Sequence, residues 1–418
     1  MRLLKFYFIL IIFLFPLMVL PSSLILSPNQ LNFTATPSEN GVSNYEITQS
    51  VTYNVEINFT LTHSAGGNGD YWFKFSRLND RQPNSSLTQY SGPYQESKLQ
   101  YSSISGSGTT PFIYRDRFNN TYDVFNATNL LPDETIALNQ NYQIKLNEVF
   151  FNNIESSEIG EYDTSDDMFA LYCNNSETYY EKDDFNINAT SYNIVNPSDN
   201  PVVKAQKICD WVVDHLEYDD NLPIQEMGAK WAYDNERGDC SEYSSLMITL
   251  LRCQGIPARK VIGFVISTDA TTTPYIGQEW TFYTNSNEET TFLGHAWVEY
   301  YVPNVGWIAC DPTWDERANY FNHIDYLRLN LNIGAWFSIP QLSDKSEFPH
   351  PCIVYTDSST FDYEYTFKIS VVGVNIAASE LIIIITISVI LAVLAIGITI
   401  IIMRGRKKRK HYEQFSNY

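Results

Sequence analysis

From Leu381 to Met403 the chain runs 23 residues without a single charge, almost all of them aliphatic. A helix of that length covers about 30 Å of hydrocarbon. The segment is therefore expected to span a bilayer, and every other part of the chain has to fold on one side of it or the other. Arg404, Arg406, Lys407, Lys408, Arg409 and Lys410 follow at once. Basic residues in that position stay cytoplasmic, which makes 404–418 an inner tail. Beside a membrane span such a cluster reads as a stop-transfer and headgroup contact, not as a nucleic-acid patch.

The other terminus agrees with this orientation. Arg2 and Lys5 precede an uncharged run from Phe6 to Leu20, then Pro21, Ser22 and Ser23, the order of a secretory signal over 1–23. The alternative is an uncleaved anchor helix, and either version sends the following residues outward. Seven glycosylation acceptors, at Asn32, Asn58, Asn84, Asn119, Asn126, Asn174 and Asn188, all precede residue 190. They fit an extracellular glycoprotein and mark a compositional boundary near that point. Between 24 and 380 lie 19 basic and 47 acidic residues, a formal charge of −28. A surface of that sign disfavours polyanionic partners, nucleic acid included.

At 418 residues the chain is too long for one ordinary domain. Residues 24–195 are rich in Asn, Ser, Thr and Tyr, with short apolar alternations and no helical period, so a β-sandwich-like domain is expected. Its clearest strand places Val51, Tyr53, Val55, Ile57, Phe59 and Leu61 on one face, with Asn58 among the polar residues of the other. The texture changes after Asn196-Pro197-Ser198. Pro201 to Tyr218 carries apolar residues at helical spacing behind a Ser198 or Asp199 cap, opening a second domain over 196–345. Within it, Thr268 to Thr291 reads as a long irregular loop. A β-rich juxtamembrane segment, 346–380, contains the strand-like run Tyr363 to Val371.

The chemistry concentrates in the second domain. Asp239 is a good N-cap, Glu242 completes a capping box, and Tyr243, Leu246, Met247, Leu250 and Leu251 form one apolar stripe before Gly255 and Pro257. Cys240 then opens the helix, where unsatisfied amides and the helix dipole stabilise a thiolate. Further on, His295, Trp297, Glu299 and Tyr301 share one face of a strand, and Trp307, Ala309 and Asp311 share a face of the next. If the connecting turn holds an odd number of residues, His295 and Asp311 fall on the same side of the hairpin; an even number separates them. An imidazole oriented by a carboxylate and facing a thiol is a nucleophilic site. His215 and His323 are the other candidate bases, and neither has a matching carboxylate in the sequence pattern. Cys209, Cys253 and Cys310 read as core thiols. Five cysteines besides Cys240 cannot all pair, and Cys173 with Cys352 is the disulfide considered. The cysteines follow no zinc spacing and the acids no calcium-loop pattern, so no cofactor or metal is expected.

Gly238-Asp239-Cys240, Arg252 to Arg259, His295 to Glu299, and Gly306-Trp307 leading to Asp311-Pro312-Thr313 resemble the transglutaminase-like superfamily in type, order and spacing, over about residues 195–320. The resemblance implies a papain-like α+β core, a cysteine helix packed on an antiparallel sheet, with Cys240 as nucleophile, His295 as general base and acid, and Asp311 orienting His295. It also implies the sandwich often found before such cores, with Asp116 to Tyr122 resembling one of its turns. Packing is the first reading for Trp231, Trp297 and Tyr243, and lining an acyl pocket the other role considered for each. The implied enzyme acts on amide bonds of proteins or peptides through a thioester, with hydrolysis preferred to cross-linking by an amine acceptor or to deglycosylation. The reading of another class is a non-catalytic surface binding or adhesion module.

Overall fold

A computed structural model describes residues 44–404 except 84, 86–89, 107–110, 153, 224–225, 270–271, 288, 335–337, 340–341, 344–351, 356–359 and 377–388. The expected signal, the inner tail from 405 and the first eight residues of the expected span lie outside the described residues. In chain order, β1 (Glu46–Ala65), β2 (Gly69–Ser76), β3 (Gln95–Ser105), β4 (Phe112–Arg115), β5 (Thr121–Leu130) and β6 (Thr135–Phe150) come first. Helices α1 (Asp167–Tyr172), α2 (Phe185–Ile194) and α3 (Pro201–His215) follow, then β7 (Glu217–Tyr218), α4 (Ala229–Asn235), β8 (Arg237–Gly238) and α5 (Cys240–Cys253). Next are β9 (Ala258–Val265), β10 (Glu279–Asn285), β11 (Gly294–Val302), β12 (Gly306–Cys310), α6 (Pro312–Ala318), β13 (His323–Ile324) and β14 (Arg328–Ile333). The short β15 (Ser338–Ile339) and β16 (Leu342–Ser343) pair with each other, and β17 (Cys352–Tyr355) and β18 (Thr360–Ile376) close the set.

The alternation read from the sequence of β1 is observed: Val51, Tyr53, Val55, Ile57, Phe59 and Leu61 are all at most 1% exposed, while Asn58 is exposed. Burying one face of so long a strand requires a second layer. A sheet ordered β10-β18-β1-β6-β13, with β3 also on β6, faces one ordered β17-β2-β5-β4. Phe59, Phe73, Phe75 and Phe125 pack edge-on and stacked between them.

This sandwich is not confined to 24–195. Strand β18 pairs with β1 along nearly its whole length and β17 pairs with β2, so the segment expected to be juxtamembrane completes both sheets. Strand β10 lies within the run read as an irregular loop and pairs with β18. Trp280 and Phe282 alternate with polar residues there, but the partner residues on β18 lie 79 to 91 positions further along the chain. Helix α2, on the N-terminal side of the expected boundary at 195, packs on α5.

The second core is built on a sheet ordered β12-β11-β9-β14. Helices α2, α3 and α5 cover it, placing Ile187, Ile208, Val212, Leu246, Met247 and Leu250 in one core with Val298 and Ile308 of the sheet. Helix α3 is capped by Asn200, whose side chain accepts from Val203 N, rather than by Ser198 or Asp199. The two layers are bolted together by polar groups. Asn120 exchanges two hydrogen bonds with the backbone of Ile333, and Asp116 holds that turn by accepting from Phe118 N, Asn120 N and the Tyr122 phenol. Arg81 from the sandwich and Arg259 from β9 both donate to the fully buried Glu299 on β11.

Residues 389–404 are helical and largely exposed. Among the described residues no helix is long and apolar enough to cross a membrane.

Candidate active site

Helix α5 begins as its sequence dictates. The Asp239 side chain accepts from Ser241 N at 2.7 Å, and Glu242 Oε2 accepts from Asp239 N at 3.2 Å, closing the capping box. Gly238 fits because a Cβ there would come within 2.3 Å of Glu242 Cβ. The cap thus needs a glycine directly before it. Cys240 is the first helical residue, half-buried and in no disulfide. Helix α5 packs against β11 and α6, the elements that carry the remaining site residues or follow directly from them.

The hairpin resolves in favour of an odd connection. Val302 pairs with Gly306 and Val298 with Cys310, leaving three residues, 303–305, between the strands. His295 and Asp311 therefore share a face, and His295 Nε2 lies 2.7 Å from Asp311 Oδ2. Both are buried, at 7% and 0% exposure. With Nε2 engaged, Nδ1 is the ring nitrogen left for chemistry. The imidazole stacks on Trp297 at 6.0 Å and meets the edge of Trp314 at 6.3 Å.

Asp311 is held from every side. Its Oδ1 accepts from Thr313 Oγ1 at 2.7 Å, and its Oδ2 also accepts from Nε and Nη2 of Arg328 at 3.1 and 2.9 Å. Burial alone would raise the carboxyl's pKa, but the charges of His295 and Arg328 outweigh it and hold the group well below the usual carboxylate range. Asp311 is thus a permanent anion at any physiological pH.

Tyr218 borders the site too. It pairs with Gly238 in the parallel β7–β8 bridge, is half exposed, and its ring lies 6.2 Å from Tyr243. Burial, followed by the negative charges of Cys240, Asp239, Asp220 and Asp311, pushes its phenol well above the ordinary value. The Tyr218 hydroxyl therefore sits within electrostatic reach of both the Cys240 end of α5 and the Asp311 carboxylate. Neither Tyr218 nor Arg328 was singled out by sequence reasoning. Tyr218 carries no motif, and Arg328 lies beyond the matched motifs.

Other expected roles change. Trp297 is 1% exposed beneath His295, and Tyr243 is 5% exposed with its phenol donating to Leu216 O, so both pack instead of lining an open acyl pocket. Trp231 is half-buried on α4, with the Arg237 guanidinium 5.6 Å from its ring, and is the one of the three that stays accessible. His215 stacks on Trp211 at 4.2 Å, and its Nε2 meets Tyr233 O. His323 does have a carboxylate neighbour, Glu148 at 3.4 Å, but its ring is clamped between Phe150 and Tyr320. Cys310 is fully buried with its sulfur 3.5 Å from Cys209 and 3.9 Å from Met247, in the core as expected. Cys173 is a free thiol facing Arg252 O at 3.9 Å, not half of a disulfide. Among the described residues no three His, Cys, Asp or Glu side chains are grouped to hold a metal ion.

Residues 188–312 match the family model of the Transglutaminase-like superfamily, a stretch that includes Cys240, His295 and Asp311. A protein-glutamine gamma-glutamyltransferase of Pseudomonas aeruginosa is 38% identical over 82 residues, 20% of this chain and 11% of that protein. An uncharacterized protein of Bacillus subtilis, YebA, is 35% identical over 88 residues, 20% of this chain and 10% of its own length. The chain thus spans about a tenth of the length of these curated relatives. A crystal structure of a candidate cysteine protease from Cytophaga hutchinsonii superposes with a TM-score of 0.51 at 14% identity, covering 80% of this chain and 94% of that one. That likeness is one of fold. Residues 188–312 thus resemble a transglutaminase-like domain, set within a sheet-rich chain.

Proposed function

We propose that the chain is a cysteine enzyme acting on amide bonds of proteins or peptides, with Cys240 as nucleophile, His295 as proton carrier and Asp311 as its orienting acid. The observation that carries this reading is the buried 2.7 Å contact between His295 Nε2 and Asp311 Oδ2 on the strand against which the Cys240 helix packs. A fixed anion behind the ring favours the imidazolium, and the imidazolium together with the helix start favours a thiolate.

In the proposed cycle the Cys240 thiolate attacks the amide carbonyl and the backbone amide of Cys240 helps hold the oxyanion. The imidazolium gives its proton to the departing nitrogen, leaving a thioester and a neutral imidazole. His295 then takes a proton from water as it attacks the thioester, releasing the acid and restoring the thiolate–imidazolium pair. Hydrolysis is the preferred outcome because no residue here marks an amine site.

Cross-linking is the second reading, favoured by the Pseudomonas relative's name. In that case a primary amine replaces water at the thioester. Incubating the protein with a mixed protein substrate and a labelled primary amine separates the two. Chain cleavage or ammonia release without incorporation supports hydrolysis; incorporation without cleavage overturns it. A protein that does neither, and whose Cys240 labels as an ordinary thiol, is a binding module.

The proposal places this enzyme at the cell surface, tethered by 381–403 with the folded part outside. The uncharged stretch, its basic flank and the outer charge of −28 support that placement. Protease added to intact cells removes residues 44–376 and spares the tail if it is right, and spares the whole chain if it is wrong.

A further inference from the structure

Asp311 Oδ2 accepts from His295 Nε2 and twice from Arg328, and Nη1 of the same guanidinium donates to Asp325 Oδ2 at 2.7 Å. The Tyr320 phenol also donates to Asp325 Oδ2. Arg328, Asp311 and Asp325 are 1%, 0% and 7% exposed. The guanidinium lies 4.9 Å from the Trp314 ring centre and 4.1 Å from that of Tyr320. Two carboxylates and one guanidinium thus sit in a region closed to water, with a net charge of −1. The His295 ring meets this set through Asp311 Oδ2. Other titratable groups facing the set are Tyr218, Cys240, Asp315 on α6, the thiols of Cys209 and Cys310 behind Asp311, and the phenols of Tyr53 and Tyr326 beside Asp325.

We propose that Arg328 is a positioning residue for the reaction above: its fork fixes the Asp311 carboxylate toward His295, and its pairing with Asp325 sets the buried charge that the imidazolium neutralises. This rests on the reading of Cys240 and His295 as a reacting pair. A guanidinium suits the role because its planar donors reach two carboxylates at once, which a lysine ammonium cannot reproduce in the same geometry. Removing the cation leaves −2 against the imidazole, and removing the Asp325 charge leaves zero. The two changes therefore act on His295 in opposite directions. A residue that merely held the fold would not give opposite signs.

The test is the rate of iodoacetamide labelling of Cys240 in the full-length protein from pH 4 to 10. In the wild type, labelling already proceeds below pH 7, and a second, upper inflection reports loss of the imidazolium proton. Arg328→Gln is expected to move that inflection up by about half a pH unit or more, and Asp325→Asn to move it down by a similar amount. Arg328→Lys keeps the inflection in place but lowers turnover, since charge survives and the fork does not. If both inflections stay put, or move together, Arg328 has no such role. Should Arg328→Gln fail to fold, the near-isosteric Asp325→Asn decides alone by its downward shift or lack of one. A wild type that labels like an ordinary thiol overturns the reactive pair and this inference with it. A normal wild-type profile with immobile variants overturns only the inference.

Discussion

His295 and Asp311 meet diagonally: Asp311 follows the Val298–Cys310 backbone pair by one residue, yet its Oδ2 lies 2.7 Å from His295 Nε2. A diagonal contact needs the carboxylate to lean along the sheet, and Thr313 and Arg328 hold it there. Asp311→Asn preserves the shape and exchanges an anion for a neutral amide that can present the wrong partner atom to the ring. Turnover of a peptide amide is expected to fall by about 10³–10⁴-fold. A loss below tenfold would remove Asp311 from the machinery.

The depressed pKa of Asp311 is also a stability statement. A carboxyl whose folded pKa lies below its unfolded value contributes stability above about pH 4, lost progressively as pH falls toward the folded value. The urea midpoint of the wild type should therefore drop steeply below pH 4. That of Asp311→Asn should start lower at pH 7 and decline less over the same range. Parallel curves would mean that Asp311 is not held as described.

Gly263 pairs with His295 across β9 and β11, and a Cβ on it would stand 1.9 Å from Leu329 O and 3.1 Å from Trp297 Cη2. Gly263→Ala must push β14 away, and Arg328 stands on that strand. A loss of about 1–3 kcal/mol in unfolding free energy is expected, with slower turnover in the protein that still folds. Unchanged stability would show that the backbone relaxes freely at this point.

Asp239→Ala removes the cap that opens α5. It should cost about 1 kcal/mol and shift Cys240 labelling toward higher pH, because the carboxylate fixes the first turn of the helix that Cys240 opens. A protein destabilised to that extent with an unmoved labelling profile would separate the cap from thiol activation.

Local features were legible and long-range ones were not. The α5 cap, its first residue and the inward face of β1 follow from short patterns that the chain satisfies by itself. The parity of the 303–305 turn was left open because Pro303, Asn304, Val305 and Gly306 permit more than one turn; the register decides it. Strands β10, β17 and β18 escaped assignment to the sandwich because each pairs with a strand distant in sequence. Trp297 and Tyr243 could by type line a pocket or pack, and their positions on inward faces make them core. Arg328 had one visible signal: a charge opening the alternating run Arg328-Leu329-Asn330-Leu331, three residues after Asp325. A charged residue at the start of a fully buried strand needs a buried partner, and here that partner is Asp311.

Labelling with iodoacetamide at pH 6 tests most directly whether Cys240 reacts as a thiolate paired with His295. The wild type should label at Cys240 far faster than a free thiol of pKa about 8.5. His295→Gln should fall to the free-thiol rate, and Cys240→Ala should not label there at all. Equal, slow labelling of wild type and His295→Gln would contradict the claim.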